Sequence, residues 1–321
     1  MDLLLGQIIN AILLGCTYTL VAIGFSLFFG VLDVVIFCCG DIAIFGAFSI
    51  LGSYTILAST GFFGALPYSV SVLMLLLIAA ILCASLGLLT YRFSVKPFEN
   101  SSALMPLLST IALGVVIRES LGLLFQRVVN PMAKAVAAGG DALAVQGGRN
   151  PQAMPVLIAP DGTVTERNLI IIGVTLILLL ALFWFLNKTK IGLSMQAVSQ
   201  NRDVSCMIGV NVKRIVILTF IIGGALLSIG GFLVGSYNTL VRFDNGSNYG
   251  IKGFSAAVVG GLSNTYGAIV GGMLLAFVEV FVSGYIPNGT AYASIIAFVV
   301  VVLFIMFKPE GILGEKTVEK V

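Results

Sequence analysis

Eight predominantly apolar runs of about 20 residues recur along the chain, and they limit its fold more than any other feature. A run of this length can cross a bilayer as a helix, in which every backbone amide and carbonyl is paired inside the lipid. Only 10% of the residues are charged, against about 25% in soluble domains. The sequence therefore predicts an all-α, polytopic transmembrane bundle, treated as one domain over 1–321, with approximate spans at 4–29, 34–57, 66–90, 103–125, 169–186, 215–236, 266–285 and 291–307.

Several kinds of site are excluded by the residues that are missing. The chain has no histidine, which removes Ser/His and Cys/His catalytic arrangements and HExxH zinc sites. The closest match to a phosphate-binding loop ends at Thr317 but has Pro309 where its first glycine is needed. The five cysteines lie in apolar runs or in a predicted cytoplasmic loop, so we expect no disulfide framework. We predict no catalytic residue, metal, resident cofactor or nucleic-acid partner.

Charge in the short loops predicts the orientation, because lysine and arginine are retained on the cytoplasmic side. The basic short loops are the one containing Arg92 and Lys96 and the segment 188–214. They share the cytoplasmic side if two spans separate them, which puts the longest polar segment, 126–167, outside the cell. Within that segment, Pro160-Asp161-Gly162 lies between β-prone runs and predicts a surface hairpin.

The lysine-rich C-terminal tail is also predicted to be cytoplasmic, and this requires an odd number of crossings. The residues from Gly253 to Gly261 are apolar but too few to span alone. We predict that they form part of a ninth, broken crossing.

The segment 188–214 has the pattern of two short helices. Ser194 or a neighbour is the predicted N-cap of the first helix, with Leu193, Ala197 and Val198 on one side of it. Asn201 or Asp203 is the predicted N-cap of a second turn through Ile208, and Gly209 takes the left-handed C′ position. From spacing alone, a helix that docks in a groove of another protein and an ordinary basic connector are equally supported.

Glycine-interrupted apolar segments occur in both halves of the chain, at 30–46 and 250–272. Transporters place broken helices in corresponding halves, where the freed backbone groups line a cavity at mid-membrane. The pairs Gly231/Gly235 and Gly267/Gly271 have the small-residue spacing of close helix packing, and we prefer that interpretation for them.

Few ionisable residues fall inside the apolar runs, and each is costly in hydrocarbon. Asp41 adjoins the first broken segment and is the leading candidate for a transport pathway, and Glu279 follows the second segment. Arg118 and Glu119 are predicted to meet lipid headgroups or a neighbouring helix. The ionisable residues in question are Asp33, Asp41, Arg118, Glu119 and Glu279.

Four stretches together resemble one known family. The stretch from Ala197 to Ile215, with Gly209 twelve residues after Ala197, resembles the EAA-type loop of ATP-binding cassette (ABC) importer permeases. It is most similar to the loop of the branched-chain amino acid (LivH-type) permeases. The segment 18–48 resembles the family's first two helices and the broken element between them. The segment 254–279 resembles its glycine-rich element and the following helix, and 308–314 resembles its ending.

The chain departs from the family pattern in two places. It has Gln196-Ala197-Val198 where the family has Glu-Ala-Ala. It has Ile36-Phe37-Cys38-Cys39-Gly40-Asp41 where the family usually has Asn-Phe-Ala-His-Gly-Glu, so an amide and a histidine are absent and aspartate replaces glutamate.

The resemblance implies a permease subunit of a bacterial or archaeal cytoplasmic-membrane ABC importer for branched-chain or other small amino acids, with membrane lipid around it. It implies a second permease subunit, two cytoplasmic ATPase subunits that hold ATP and Mg²⁺, and an extracytoplasmic binding protein. The ATPase-coupling residues would be Gly192, Ala197, Val198, Asn201, Asp203 and Gly209. The pathway candidates are Phe37, Gly40, Asp41, Gly260, Gly261, Asn264 and Glu279.

Three alternatives belong to other functional classes. A secondary transporter would use an ion gradient through Asp41 or Glu279, and a purely structural membrane subunit would transport nothing. An aspartyl intramembrane protease is suggested by Cys39-Gly40-Asp41 but disfavoured, because position 38 is cysteine rather than glycine and no second transmembrane aspartate follows a tyrosine.

Overall fold

The computed structural model describes residues 2–59, 68–99, 101–102, 104–124, 152–153, 166–238, 240–308 and 310–314. These residues are mostly helical, as the apolar runs predict. The helices are α1 (Asp2–Leu32), α2 (Cys39–Ser59), α3 (Tyr68–Thr90), α4 (Leu104–Leu124), α5 (Glu166–Lys188), α6 (Lys190–Gln200), α7 (Arg202–Met207), α8 (Val212–Asn238), α9 (Gly246–Gly260), α10 (Thr265–Tyr285) and α11 (Gly289–Phe307). A π-helical turn (Tyr91–Val95) and a 3₁₀ turn (Lys96–Phe98) extend α3, and a second 3₁₀ turn (Phe243–Asn245) precedes α9.

Eight of the described helices are long and apolar enough to cross a membrane, and they match the eight predicted spans. They are α1 to α5, α8, α10 and α11. The residues from Gly253 to Gly261 fall on α9 and the turn after it. With 15 residues, α9 is about 22 Å long, short of the ~30 Å hydrocarbon core. The ninth crossing stays a prediction.

The start of the second span was predicted wrongly. Residues 34–38 are not helical, and α2 begins at Cys39, which puts Asp41 in its first turn. Helix α1 ends just before Asp33, whose φ of 55° lies in the left-handed region and breaks the helical path. A carboxylate in the first turn of α2 also complements the positive end of that helix.

Packing divides the chain into two compact units, each built from separate stretches of sequence. Unit 1 comprises Met1–Val35, Gly162–Thr219 and Ile251–Val321. Unit 2 comprises Ile36–Asp161 and Phe220–Gly250. Helices α8 and α9 each contribute residues to both units.

The core of unit 1 is α1, which packs along α10. Its residues from Leu20 to Ile23 are fully buried. Unlike α1, the outer helices expose apolar side chains: α5 exposes Ile177 and Trp184, and α11 exposes Val302. Apolar side chains on the outside suit a chain surrounded by lipid.

Glycines set the closest helix approaches in both units. In unit 2, a Cβ on Gly231 of α8 would overlap the Ala43 carbonyl of α2. In unit 1, a Cβ on Gly267 or Gly271 of α10 would overlap the backbone of α9 at Gly260 or Ala256. The packing interpretation is therefore confirmed for Gly231, Gly267 and Gly271.

A short β-pair in unit 2 was not predicted. The strands β1 (Gln152–Ala153) and β2 (Leu240–Val241) pair antiparallel, with Gln152 opposite Val241. The predicted hairpin around Pro160-Asp161-Gly162 lies outside the described residues. Most of the predicted extracytoplasmic loop 126–167 lies outside them as well.

Candidate functional site

The segment 188–214 folds as two short helices, α6 and α7. Helix α6 is capped by Thr189, whose hydroxyl accepts a hydrogen bond from the Gly192 amide at 3.0 Å. The prediction of Ser194 as the cap was wrong, because Ser194 lies inside the helix and its hydroxyl donates to the Lys190 carbonyl. Gly192 is needed because a Cβ there would overlap the backbone at the end of α5.

The three residues predicted to share one side of α6 differ in burial. Val198 is buried and Ala197 is partly buried, whereas Leu193 is half exposed. Met195 takes the inward position instead. Residues three apart, at 192, 195 and 198, thus anchor α6 inside unit 1.

Both ends of α7 are fixed by side chain and backbone. The Asn201 side chain accepts from the amides of Asp203 and Val204 at 3.0 and 3.1 Å, which confirms Asn201 as the N-cap. At the other end Gly209 has a φ of 88°, and its amide donates to Cys206 while the Val210 amide donates to Ser205. Gly209 therefore takes the predicted left-handed C′ position, and the two backbone bonds form a Schellman motif.

The outer face of α7 carries three large apolar side chains, Val204, Met207 and Ile208, which we call the α7 face. They are 51%, 85% and 69% exposed. Their spacing of three and four residues puts them on one side of the helix. These exposed apolar groups lie at the end of a helix whose two caps are fixed.

A buried ion pair occupies the start of α2 in unit 2. Asp41 is only 5% exposed, and Arg118 of α4 donates to both of its carboxylate oxygens at 3.1 to 3.3 Å. Gly114 and Gly246 leave room for the carboxylate, because a Cβ on either would overlap its oxygens. Arg118 was predicted to meet either lipid headgroups or a neighbouring helix, and in the structure it contacts the neighbouring helix α2.

Two further pathway candidates lie beside Asp41. The Phe37 amide donates to the Thr110 hydroxyl of α4 at 3.4 Å. Gly40 contacts the backbone of Gly246 and Gly250, and a Cβ there would overlap both. Phe37 lies in the non-helical stretch between α1 and α2, and Gly40 and Asp41 lie in the first turn of α2.

The other predicted break, in unit 1, follows α9. Gly261 has a φ of 109°, and Asn264 caps α10 by accepting from the Tyr266 and Gly267 amides. The last carbonyls of α9, on Val259 and Gly260, accept from the amides of residues 312 and 313. The C-terminal segment therefore satisfies backbone groups that the break leaves free.

Glu279 does not join that break. It lies 15 residues beyond Asn264 on a continuous helix, a distance of about 22 Å. Its carboxylate is held by Lys252 of α9, by the Tyr18 hydroxyl at 2.7 Å and by Ser294 at 3.3 Å. Lys252 also donates to the Tyr18 hydroxyl at 2.9 Å, so Glu279, Lys252 and Tyr18 are each bonded to the other two.

The sequence did not reveal the partners of the two carboxylates. Arg118, Lys252 and Tyr18 lie 77, 27 and 261 residues from their acids, and no local pattern joins residues that far apart. One signal was available in the sequence. Acidic residues inside apolar runs need a cation as partner, and Lys252 is a cation near the start of the second glycine-interrupted segment, 250–272. Among the described residues, no three potential ligands of the His, Cys, Asp or Glu type gather to hold a metal ion.

Eight spanning-capable helices, an intramembrane ion pair in each unit and helices broken at glycines define a multi-pass membrane protein of the transporter class. A family model described as "branched-chain amino acid transport system / permease component" matches residues 7–305. The chain belongs to that family.

Full-length relatives support the same assignment. The chain is 28% identical to the high-affinity branched-chain amino acid transport system permease protein BraD of Pseudomonas aeruginosa, over 99% of this chain and 98% of the relative. It is 27% identical to LivH of Escherichia coli, over 99% and 97%. It is 28% identical to a probable branched-chain amino acid permease, LivH, of Methanocaldococcus jannaschii, over 84% and 81%. No solved structure matches the chain.

Proposed function

We propose that the chain is the membrane-spanning subunit of an ABC importer that moves branched-chain or other small amino acids. The observation that carries this proposal is the α7 face, three exposed apolar side chains on a helix fixed by Asn201 and Gly209. A connector that only joined two spans would need neither the caps nor the apolar surface. ATP hydrolysis, with its Mg²⁺, belongs to the partner subunits, and this chain is not an enzyme.

The partners follow from that role. Two ATPase subunits receive the segment 188–214 on the cytoplasmic side, with the coupling residues in α6 and α7 passing their closure to the spans. A second permease subunit, identical or related, completes the transport path. A soluble binding protein docks outside the membrane on the loop 126–167, and it sets most of the substrate preference.

The transport path is proposed to run beside the break before α2. There Asp41 and Arg118 provide one negative and one positive group within the apolar spans, matching the two charges of an amino acid. Phe37, just before α2, and Gly40, in its first turn, are included in the proposed path. The path binds the solute only weakly, because tight binding would prevent its release. Gly260, Gly261 and Asn264 belong to the second break, and Glu279 to the cluster with Lys252.

Replacing Met207 with aspartate should cut co-purification of the ATPase subunits at least about tenfold, because a charge would enter the apolar contact. The measurement is the ATPase-to-permease ratio after affinity purification from membranes. Lys190→Asp is the matched control, since it adds the same acid to the same segment at the first turn of α6, where the helix dipole tolerates it. Equal ATPase retention in both variants would contradict docking through the α7 face.

A further inference from the structure

A cavity of about 290 Å³ lies inside unit 1, apart from both ion pairs. Its walls come from the C-terminal part of α1, the end of α5, the inner side of α6 and the start of α10. This volume is at the lower end of the range for small-molecule sites. None of its lining residues is charged, and its polar groups are hydroxyls and amides, including those of Ser26, Asn187, Gln196, Ser199 and Thr265.

Ser26 of α1 lines this cavity and carries a buried hydroxyl. Ser26 is 1% exposed, and its Oγ has no hydrogen-bond partner among the described residues. Serine or threonine in a helix commonly donates to a carbonyl one turn back, as Thr175 and Ser194 do in this chain. A buried hydroxyl left without a partner is unfavourable, so a group entering the cavity would supply what Ser26 lacks.

A second donor at the cavity is the start of α10. Asn264 caps the amides of Tyr266 and Gly267, so the amide of Thr265, the first residue of the helix, is left uncapped by that side chain. Thr265 lines the same cavity as Ser26. The N-terminal end of a 21-residue helix favours a negative group.

Amide side chains connect this cavity to α6. The Asn187 side chain donates to the Tyr266 hydroxyl at 2.6 Å and accepts from Gln196 at 3.4 Å. All three residues line the cavity, and Gln196 and Ser199 belong to α6. A solute in the cavity therefore contacts the helix that precedes the α7 face.

We propose that the cavity binds a small carboxylate-bearing solute of amino-acid size, with its carboxylate at the Thr265 amide and the Ser26 hydroxyl. The proposal rests on the proposed function, which puts the segment 188–214 in the cytoplasm and makes the imported amino acid the natural occupant. The cavity is then a site for product after import, in contact with the coupling helices.

The test is calorimetric titration of L-leucine into the permease–ATPase complex in lipid nanodiscs, without binding protein or nucleotide. Ser26→Ala removes one donor. Thr265→Pro removes the other, because proline lacks the amide hydrogen yet suits the first position of a helix, and Asn264 before it is extended. Each change should weaken leucine binding about tenfold, the loss for one hydrogen bond to a charged group.

Ser228→Ala is the matched control, because Ser228 is equally buried but lies in unit 2, outside this cavity. It should leave leucine binding unchanged. Isoamylamine, which is leucine without its carboxylate, should not bind. Ser26→Ala removes a single oxygen, so it decides the outcome even if Thr265→Pro lowers the yield of folded protein.

Three results would overturn the proposal: no saturable leucine binding, binding that survives both substitutions unchanged, or equal binding of isoamylamine. Failure of the proposed function is seen separately, as absence of uptake driven by ATP in the unaltered complex. Intact uptake with no leucine binding to the complex would overturn this site alone.

Discussion

Arg118→Met should lower the free energy of unfolding by roughly 3–5 kcal/mol, because it breaks a buried ion pair by removing one partner. Methionine keeps most of the side-chain volume but removes the cation. The carboxylate of Asp41, which is buried in the wild-type chain, then loses its ion-pair partner. The measurement is the midpoint of unfolding in detergent, followed together with the yield of monodisperse protein. Adding Asp41→Asn should recover much of the loss, because no unpaired charge then remains.

The exposed pair Arg242–Asp244 provides a control with the same two residue types. Its side chains are 49% and 48% exposed and bond at 2.8 Å, and the Arg242 guanidinium lowers the pKa of the Asp244 carboxyl. Arg242→Met should change stability little, since water solvates the carboxylate that remains. Equal destabilisation by Arg118→Met and Arg242→Met would show that burial of the Asp41 pair is unimportant.

The same double variant separates stability from transport. If Asp41 and Arg118 only hold α2 against α4, Arg118→Met with Asp41→Asn should restore uptake along with stability. If they line the path, as proposed, uptake should stay low in the stable double variant.

Gly209→Val should reduce ATP-driven uptake at least about tenfold while the protein still inserts in the membrane. A β-branched residue at a φ of 88° is strained by about 1–3 kcal/mol, and relief of that strain would undo the end of α7. The Cβ itself meets no atom within 4 Å, so the change acts through the backbone rather than through a clash. The measurement is uptake per molecule of inserted permease.

Gly209→Asn is the control, because asparagine tolerates left-handed backbone better than other side chains. It should keep most of the uptake. Wild-type uptake by Gly209→Val at normal expression would contradict the role given to this loop.

The sequence predicted most of what depends on local pattern. The eight spans were found from apolar length, and their ends agree with the helices to within a few residues, apart from the start of α2. Asn201 and Gly209 were found because capping is decided by residue type at fixed offsets. Thr189 was missed because Ser194 offers the same hydroxyl, and only the position where the α5 helix ends distinguishes them.

What the sequence could not supply was contact between distant segments. Arg118 meets Asp41, and Tyr18 meets Glu279, through packing of helices far apart in the chain. The amides of residues 312 and 313 bond to the last carbonyls of α9, which is likewise a tertiary contact. No sequence pattern in the C-terminal segment predicts it. The cavity around Ser26 is assembled from four separate helices, so it has no sequence signature.

Uptake into vesicles tests the central claim most directly. Proteoliposomes holding the permease with its ATPase subunits would be given labelled leucine, with ATP inside or outside, with or without the binding protein, and with no ion gradient. The proposed function predicts uptake only when ATP is on the side of the segment 188–214 and the binding protein is on the other side. Uptake by the permease alone, driven by a proton or sodium gradient and indifferent to ATP, would contradict it.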